Sequence, residues 1–354
     1  MISRLTKRQS LIAGGVAAVV LVGGITTYAL VGNGSKKAVA APSSSATPKP
    51  TPPTSAAPKP KPKPPALNYL TGVGAPSKGP VVAVKIDDTD NGRPSVNLNE
   101  ADIVYIEQAE GGLTRLVAVF GTNHPTVEPV RSTRASDPEL LTQYGKITLV
   151  ASGGGGLSLP TLDKSIINGV INDRGGPGFF RDGNRPAPYN LGSNLAQVAA
   201  ATKTAAAKYI GFNWANAGSY PSLKTKSKSG AVANAVVGST PVTFQWNTQL
   251  KRYVRIVNGS ALRLANGNPV ATPNVLIQFC KVSVDPTDVD VAGNPSQYTH
   301  SVGSGTFSLF RDGRRIDGKW SRARASLPTT YTDSAGKPLM LAPGGAYVVL
   351  SSAR

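Results

Sequence analysis

The chain has 354 residues, with 38 Lys and Arg against 19 Asp and Glu, two histidines and one cysteine. A single cysteine excludes an internal disulfide framework and any Cys-based zinc or iron–sulfur site. Two histidines leave little room for a His-rich metal centre, so neither a metal nor a cofactor is expected. The basic balance does not indicate nucleic acid, because aromatics are 6% and no reader motif is present.

The charge is unevenly placed along the chain. Residues 1–65 carry nine bases and no acid, and every acid lies at or beyond Asp87. Residues 1–10 contain Arg4, Lys7 and Arg8, and Leu11 to Val31 follows as 21 residues without a charge. A helix of that length spans roughly 30 Å, the hydrocarbon thickness of a bilayer. The flanking bases predict a cytoplasmic tail at 1–10, a signal-anchor transmembrane helix at 11–31, and an exported remainder. The alternative is a secreted chain cleaved near Ala40, at Ala38-Val39-Ala40. Cys280 is the only cysteine and lies far from this segment, so a lipid-modified N-terminal cysteine is excluded.

Residues 32–66 read as a Pro- and Lys-rich linker. Ten prolines fall within 42–65, and without large apolar residues such a stretch stays extended.

From Leu67 the composition becomes that of a folded region. Pro80 to Ile86 predicts a strand ending at Asp87-Asp88. Asp102–Gln108 and Leu113–Phe120 predict an antiparallel hairpin, with glycines 111 and 112 supplying the turn. A loop of Glu110–Gly112 places Glu107 opposite Arg115. Asp137–Tyr144 predicts a helix capped by Asp137, with Pro138 at its first position. A strand at 147–151 runs into Gly153–Gly156. Leu157–Ser165 and the alanine-rich Ser193–Lys208 predict two more helices. Beyond Pro241 the pattern is nearly all strand, and Asp312-Gly313 suits a type I′ hairpin turn. The expected class is α+β: a mixed α/β first lobe over 67–235 and a mostly antiparallel β second lobe over 236–354.

Three groups of residues carry candidate chemistry. Arg131 and Arg134, beside Ser132, Thr133 and Ser136, suit a phosphate or carboxylate ligand. Their structural alternative is pairing with Glu107, Glu110 or Asp102. Asp87, Asp88, Glu107 and Glu110 could act as acid and base on a glycosidic bond. Ion pairing, especially of Glu107 with Arg115, is the commoner role for such groups. Gly178–Leu191 brings Arg181, Arg185, Tyr189 and Asn190 into a Pro- and Gly-rich loop that reads as ligand-facing or as structural. Gly153–Gly156 is not a Walker loop, since no Gly-Lys-Ser/Thr follows. His124 and His300 lack a matched Ser or Cys elbow. Between Gly183 and Cys280 there are ten bases and no acid, which marks a stretch suited to an anionic partner.

Several motifs in order carry a resemblance: Asn99–Tyr105, Glu110–Arg115, Pro129–Arg134, Phe180-Arg181-Asp182, Arg185–Leu191, Asn274-Val275, Val302–Gly305, Asp312-Gly313, Trp320 and Gly336-Lys337-Pro338. Over roughly residues 67–351 the chain resembles the YerB-type bacterial envelope proteins, a family of unknown function. The resemblance implies a two-lobed exported protein, and it brings no catalytic residues with it. The chain departs from that pattern in lacking a lipobox and in having Gly153–Gly156 where a Gly-Gly-Ser type sequence is expected.

The expected function is a membrane-anchored extracytoplasmic envelope protein that binds an anionic cell-wall or lipid-linked ligand. Arg131, Arg134, Arg181 and Arg185 would contact the anion, with Tyr189 and Asn190 orienting it. One alternative is a wall-glycan or phosphoryl-transfer enzyme using Glu107 or Asp87 with the arginines. Another is a protein-interaction module of the envelope. The residues alone leave open whether the protein is an enzyme and what its oligomeric state is.

Overall fold

A computed structural model describes residues 67–290 and 292–353. The expected tail, anchor and linker lie outside the described residues. Among the described residues, no helix is long and apolar enough to cross a membrane.

The first strand, Val82–Asp87, lies antiparallel to Thr114–Phe120 and parallel to Thr148–Ala151. Thr114–Phe120 also pairs antiparallel with Ile103–Gln108, in the expected hairpin. The C-terminal strand Ala346–Ser352 then inserts, parallel to both neighbours, between Ile103–Gln108 and Asn274–Cys280. Beyond it lie Gly303–Arg311 and Arg314–Arg322, so one sheet of eleven strands contains segments from both halves of the sequence. The hairpin turn at Asp312 (φ 51°) and Gly313 (φ 68°) has the positive φ values of the expected type I′ turn.

Strand alternation sorts the apolar residues onto two faces. Ala83, Tyr105, Val117 and Val348 face a core closed by Leu140, Leu141, Leu162 and Phe212. Val84, Ile106, Ala118 and Val349 face a second core. That core is closed by Leu195 and Val198 and by Phe244 and Tyr253 of a five-stranded sheet over residues 232–272. Both faces of the central strands are covered, which explains their nearly continuous apolar sequence.

The structure is β-rich, with few and short helices, so the α+β expectation holds for the strands and overstates the helices of the first lobe. The reasons are local. The alanine-rich segment is helical only over Leu195–Thr202, because Leu191–Asn194 is taken up as a strand and Lys203 turns left-handed at φ 44°. Asn194 caps it by accepting the Gln197 backbone N–H at 3.1 Å. The helix expected over 137–144 is α-helical over Asp137–Leu141 and tightens into a 3₁₀ turn over Thr142–Tyr144. Ser136 occupies its cap position, so Asp137 is not the capping residue that the sequence suggested.

Candidate functional site

The site is built at the end of the first strand. Lys85 and Asp87 share the face of Ala83, while Asp88 serves the opposite side. Asp87 is fully buried. Its Oδ1 accepts the Thr89 backbone N–H at 2.7 Å and the Thr89 hydroxyl at 2.5 Å. Its Oδ2 accepts from Arg115 at 2.5 Å and lies 2.8 Å from Nε of Arg131. One carboxylate thus holds two guanidiniums side by side.

Asp88 accepts a bidentate pair from Arg255 at 2.7 and 2.6 Å, and also bonds Thr114 at 2.7 Å and Arg93 at 3.2 Å. Burial alone would raise its pKa, but Arg255, Arg93 and Thr114 together hold it below its ordinary value. Arg255 comes from the acid-free stretch and is itself fully buried, so part of that stretch's charge is spent inside the fold.

The backbone register places Glu107 opposite Arg115, as the hairpin reading requires. The side chains do not pair with each other. Arg115 turns to Asp87, and Glu107 forms an ion pair with the fully buried Lys85. Lys85 also donates to Asp137 Oδ1 at 2.9 Å. Asp137 Oδ2 accepts from the Thr133 hydroxyl and the Arg134 backbone N–H, each at 2.7 Å. Desolvation and the negative charge of Asp137 raise the Glu107 pKa to about 7, against the opposing pull of Lys85. Asp137 stays below its ordinary value despite burial, because Lys85 and its hydrogen-bond donors favour the ionised form.

Arg134 is held from both ends. Its Nη1 donates to the carbonyls of Ser132 (3.2 Å) and Thr133 (3.0 Å), and its Nη2 pairs with Glu110. Arg115, Arg131 and Arg134 line one cavity of about 340 Å³, together with Glu110, Leu113, Ser132, Gly155 and Ser158. Its opposite wall is the tip of a separate hairpin, Val282–Val289 with Pro295–Thr299, which contributes Asp288, Val289, Asp290 and Ser296. Arg115 and Arg134 are more than nine-tenths buried, and the Nε–H of each has no hydrogen-bond partner. Burial, with the nearby Arg134 and Arg131, pulls the Arg115 pKa down, and Asp87 opposes that shift.

The expected site residues are therefore partly brought together. Asp87, Arg131 and Arg134 meet at or directly behind this cavity. Glu107 is fully buried, joined to Lys85, and is not among the residues lining the cavity. Tyr189 meets the cluster from the side, with the Arg131 guanidinium 5.5 Å from its ring centroid. Arg185 donates to the Tyr189 carbonyl at 3.4 Å and to the Pro94 carbonyl, which makes it a clamp between two loops. Arg181 donates to Asn190 at 2.9 Å in an exposed pair outside the cavity lining. His124 bonds the Pro80 carbonyl and His300 bonds Ser283, and neither lies in the cavity lining.

Sequence reasoning missed the 282–299 hairpin, which pairs only with itself and reaches the site through contacts more than a hundred residues away in the chain. Glu139 anchors its base, accepting from Tyr298 at 3.1 Å and from the Ser301 backbone N–H at 2.7 Å. Near the tip, Asp288 accepts the Leu157 backbone N–H at 3.3 Å and the Ser296 hydroxyl at 2.9 Å.

Residues 70–209 match the N-terminal domain, and residues 231–348 the C-terminal domain, of a family described as protein of unknown function (DUF3048). The chain is 26% identical over 279 residues to a Bacillus subtilis (strain 168) protein named "Putative lipoprotein YerB", covering 75% of this chain and 80% of that one. The crystal structure of YerB protein from Bacillus subtilis superposes with a TM-score of 0.64 at 21% identity, over 80% of this chain and 96% of the other.

Proposed function

The chain belongs to this YerB-type, DUF3048 family of unknown function, and from that premise we propose that it is an extracytoplasmic envelope protein whose arginine-lined cavity binds an anionic group. The lipoprotein name of the relative supports the address, and the uncharged segment 11–31 with its basic flank is the sequence basis for a single-pass anchor. The binding reading rests on one observation above the others: Arg115, Arg131 and Arg134 line one cavity of about 340 Å³. Guanidiniums match carboxylate and phosphate oxygens in geometry as well as charge. The ligand in this reading is an anionic unit of a wall polymer or of a lipid-linked molecule.

Of the residues assigned to the anion from the sequence, Arg131 and Arg134 keep that role, Arg115 joins them, and Tyr189 orients Arg131. Arg181, Arg185 and Asn190 shape the neighbouring loop. The test is sedimentation of the full-length protein with purified wall polymer at several salt concentrations. Changing Arg131 and Arg134 together to Gln is expected to abolish binding and flatten its salt dependence, with thermal unfolding checked alongside. Unchanged binding with an unchanged salt slope would overturn the assignment.

A further inference from the structure

The cavity that offers three arginines is not a net positive site. Its lining also includes Glu110, Asp288 and Asp290, three carboxylates against three guanidiniums. Asp87, behind Arg115 and Arg131, adds one more negative charge. A phosphate dianion entering this space would meet the arginines on one wall and the carboxylates of the hairpin tip on the other. Like charges held together in a partly desolvated cavity oppose binding.

The two walls differ in how their charges are arranged. The arginines come from the sheet hairpin and the 131–134 segment, and are fixed by Asp87, Glu110 and backbone carbonyls. The acids on the other wall come from the separate 282–299 hairpin. Asp290 Oδ1 is taken up by its own turn, accepting the Ala292 and Asn294 backbone N–H groups at 2.9 and 2.8 Å, while Oδ2 accepts only the Asn294 amide at 3.1 Å. Asp288 reaches across to the Leu157 backbone N–H through Oδ2, which ties the hairpin tip to the segment after the glycine loop. Resting on the reading that the arginines take an anion, we infer that the bound unit is a net-neutral zwitterion. Its carboxylate or phosphodiester would lie against Arg115, Arg131 and Arg134, and its primary ammonium against Asp288 and Asp290. A volume of about 340 Å³ suits a unit the size of a dipeptide or a single headgroup. Two sources share this chemistry, a short peptide with both ends free and an aminoalkyl phosphodiester.

Calorimetric titration of the full-length protein in detergent separates the possibilities. The compounds are alanylalanine, N-acetyl-alanylalanine, alanylalanine amide, glycerophosphoethanolamine and inorganic phosphate. The expected result is that alanylalanine or glycerophosphoethanolamine binds at least tenfold more tightly than inorganic phosphate, and the better of the two names the source. If the source is the peptide, the two blocked peptides bind at least tenfold more weakly than the unblocked one. Asp288→Asn, which keeps an acceptor for the Leu157 N–H, is expected to cut affinity for the favoured zwitterion at least fivefold, with phosphate unaffected or improved. Acetylated peptide binding as well as the unblocked peptide, or phosphate binding better than both zwitterions, overturns the zwitterion and leaves the arginine site standing. No binding of any of the five, phosphate included, removes both readings. Arg131→Gln completes the set, since loss of all binding in that variant locates whatever is seen in this cavity.

Discussion

Asp87 and Asp88 are adjacent in the chain and organise separate sets of arginines on opposite sides of the central sheet. Asp87 joins Arg115 and Arg131 at the cavity, while Asp88 locks Arg255 of the five-stranded sheet with two hydrogen bonds of 2.6–2.7 Å. The one-residue offset is enough to separate a carboxylate that positions the cavity arginines from one that ties the two sheets together. The two therefore differ in what their removal should do.

Replacing Arg255 by Met leaves the ionised Asp88 buried with only Arg93 and Thr114 as partners. Breaking one side of a buried ion pair costs about 3–5 kcal/mol, whereas replacing both sides by neutral groups is far milder. Arg255→Met alone is expected to lower the urea midpoint strongly, and Asp88→Asn combined with Arg255→Met to recover much of it. Equal destabilisation by the single and double variants would show that Asp88 is not the group Arg255 satisfies.

The Lys85–Glu107–Asp137 cluster sets the pH dependence of stability. The Glu107 pKa is raised to about 7 in the folded chain from an ordinary 4.5, so between these values the native state holds a proton that the unfolded chain has released. Stability therefore falls as pH rises through that window, by at most about 1.4 kcal/mol per pH unit for one proton. Asp137 and Asp88 are shifted downward, and their contribution is lost as pH falls below their ordinary value of 3.8. Stability from these groups is expected to peak between about pH 4 and 5. Chemical denaturation across pH 4–8 should show a decline that Glu107→Gln flattens, and an identical slope in that variant would refute the assignment.

Tyr189 packs its ring against Arg131, with the guanidinium 5.5 Å from the ring centroid. Such a contact at a partly exposed site contributes about 0.5–1 kcal/mol. Tyr189→Phe keeps the ring and is expected to bind wall polymer as the parent does, while Tyr189→Ala should weaken binding by roughly two- to fivefold. Sedimentation at low salt reads the difference. Equal loss in both variants would point to the hydroxyl, which accepts from Asn91 at 3.4 Å, instead of the ring.

What the sequence made legible follows from how local each signal is. The 103–120 hairpin and its register, the Asp312-Gly313 turn and the strands beyond Pro241 depend on neighbours close in sequence, and they stand where the pattern put them. The arginine pair 131 and 134 is also local, and both residues line the cavity. The partner of Glu107 was misjudged because backbone register fixes which residues face each other, whereas side-chain charge also weighs Lys85, one strand further away. Arg115 was read only as a pairing partner, and Asp288 was not singled out at all. Its role depends on a hairpin folding back over a glycine loop some 130 residues earlier, and no spacing in the sequence encodes that contact.

Gly156 shows how closely that hairpin is seated. Its φ is 37°, and a Cβ added there would fall on the Asp288 carboxylate. A side chain at this position must both tolerate a left-handed backbone and displace the acid that closes the cavity. Gly156→Ala is expected to release the tip while the Glu139 contacts to Tyr298 and Ser301 keep the base attached. Hydrogen exchange should then accelerate at 285–296, with little change in the central sheet strands. Adding Asp288→Ala to Gly156→Ala removes the clash but also the acceptor of the Leu157 N–H and the Ser296 hydroxyl, so it should not restore protection of the tip. If Gly156→Ala leaves exchange in the hairpin unchanged, the tip is not held by the Asp288 contact.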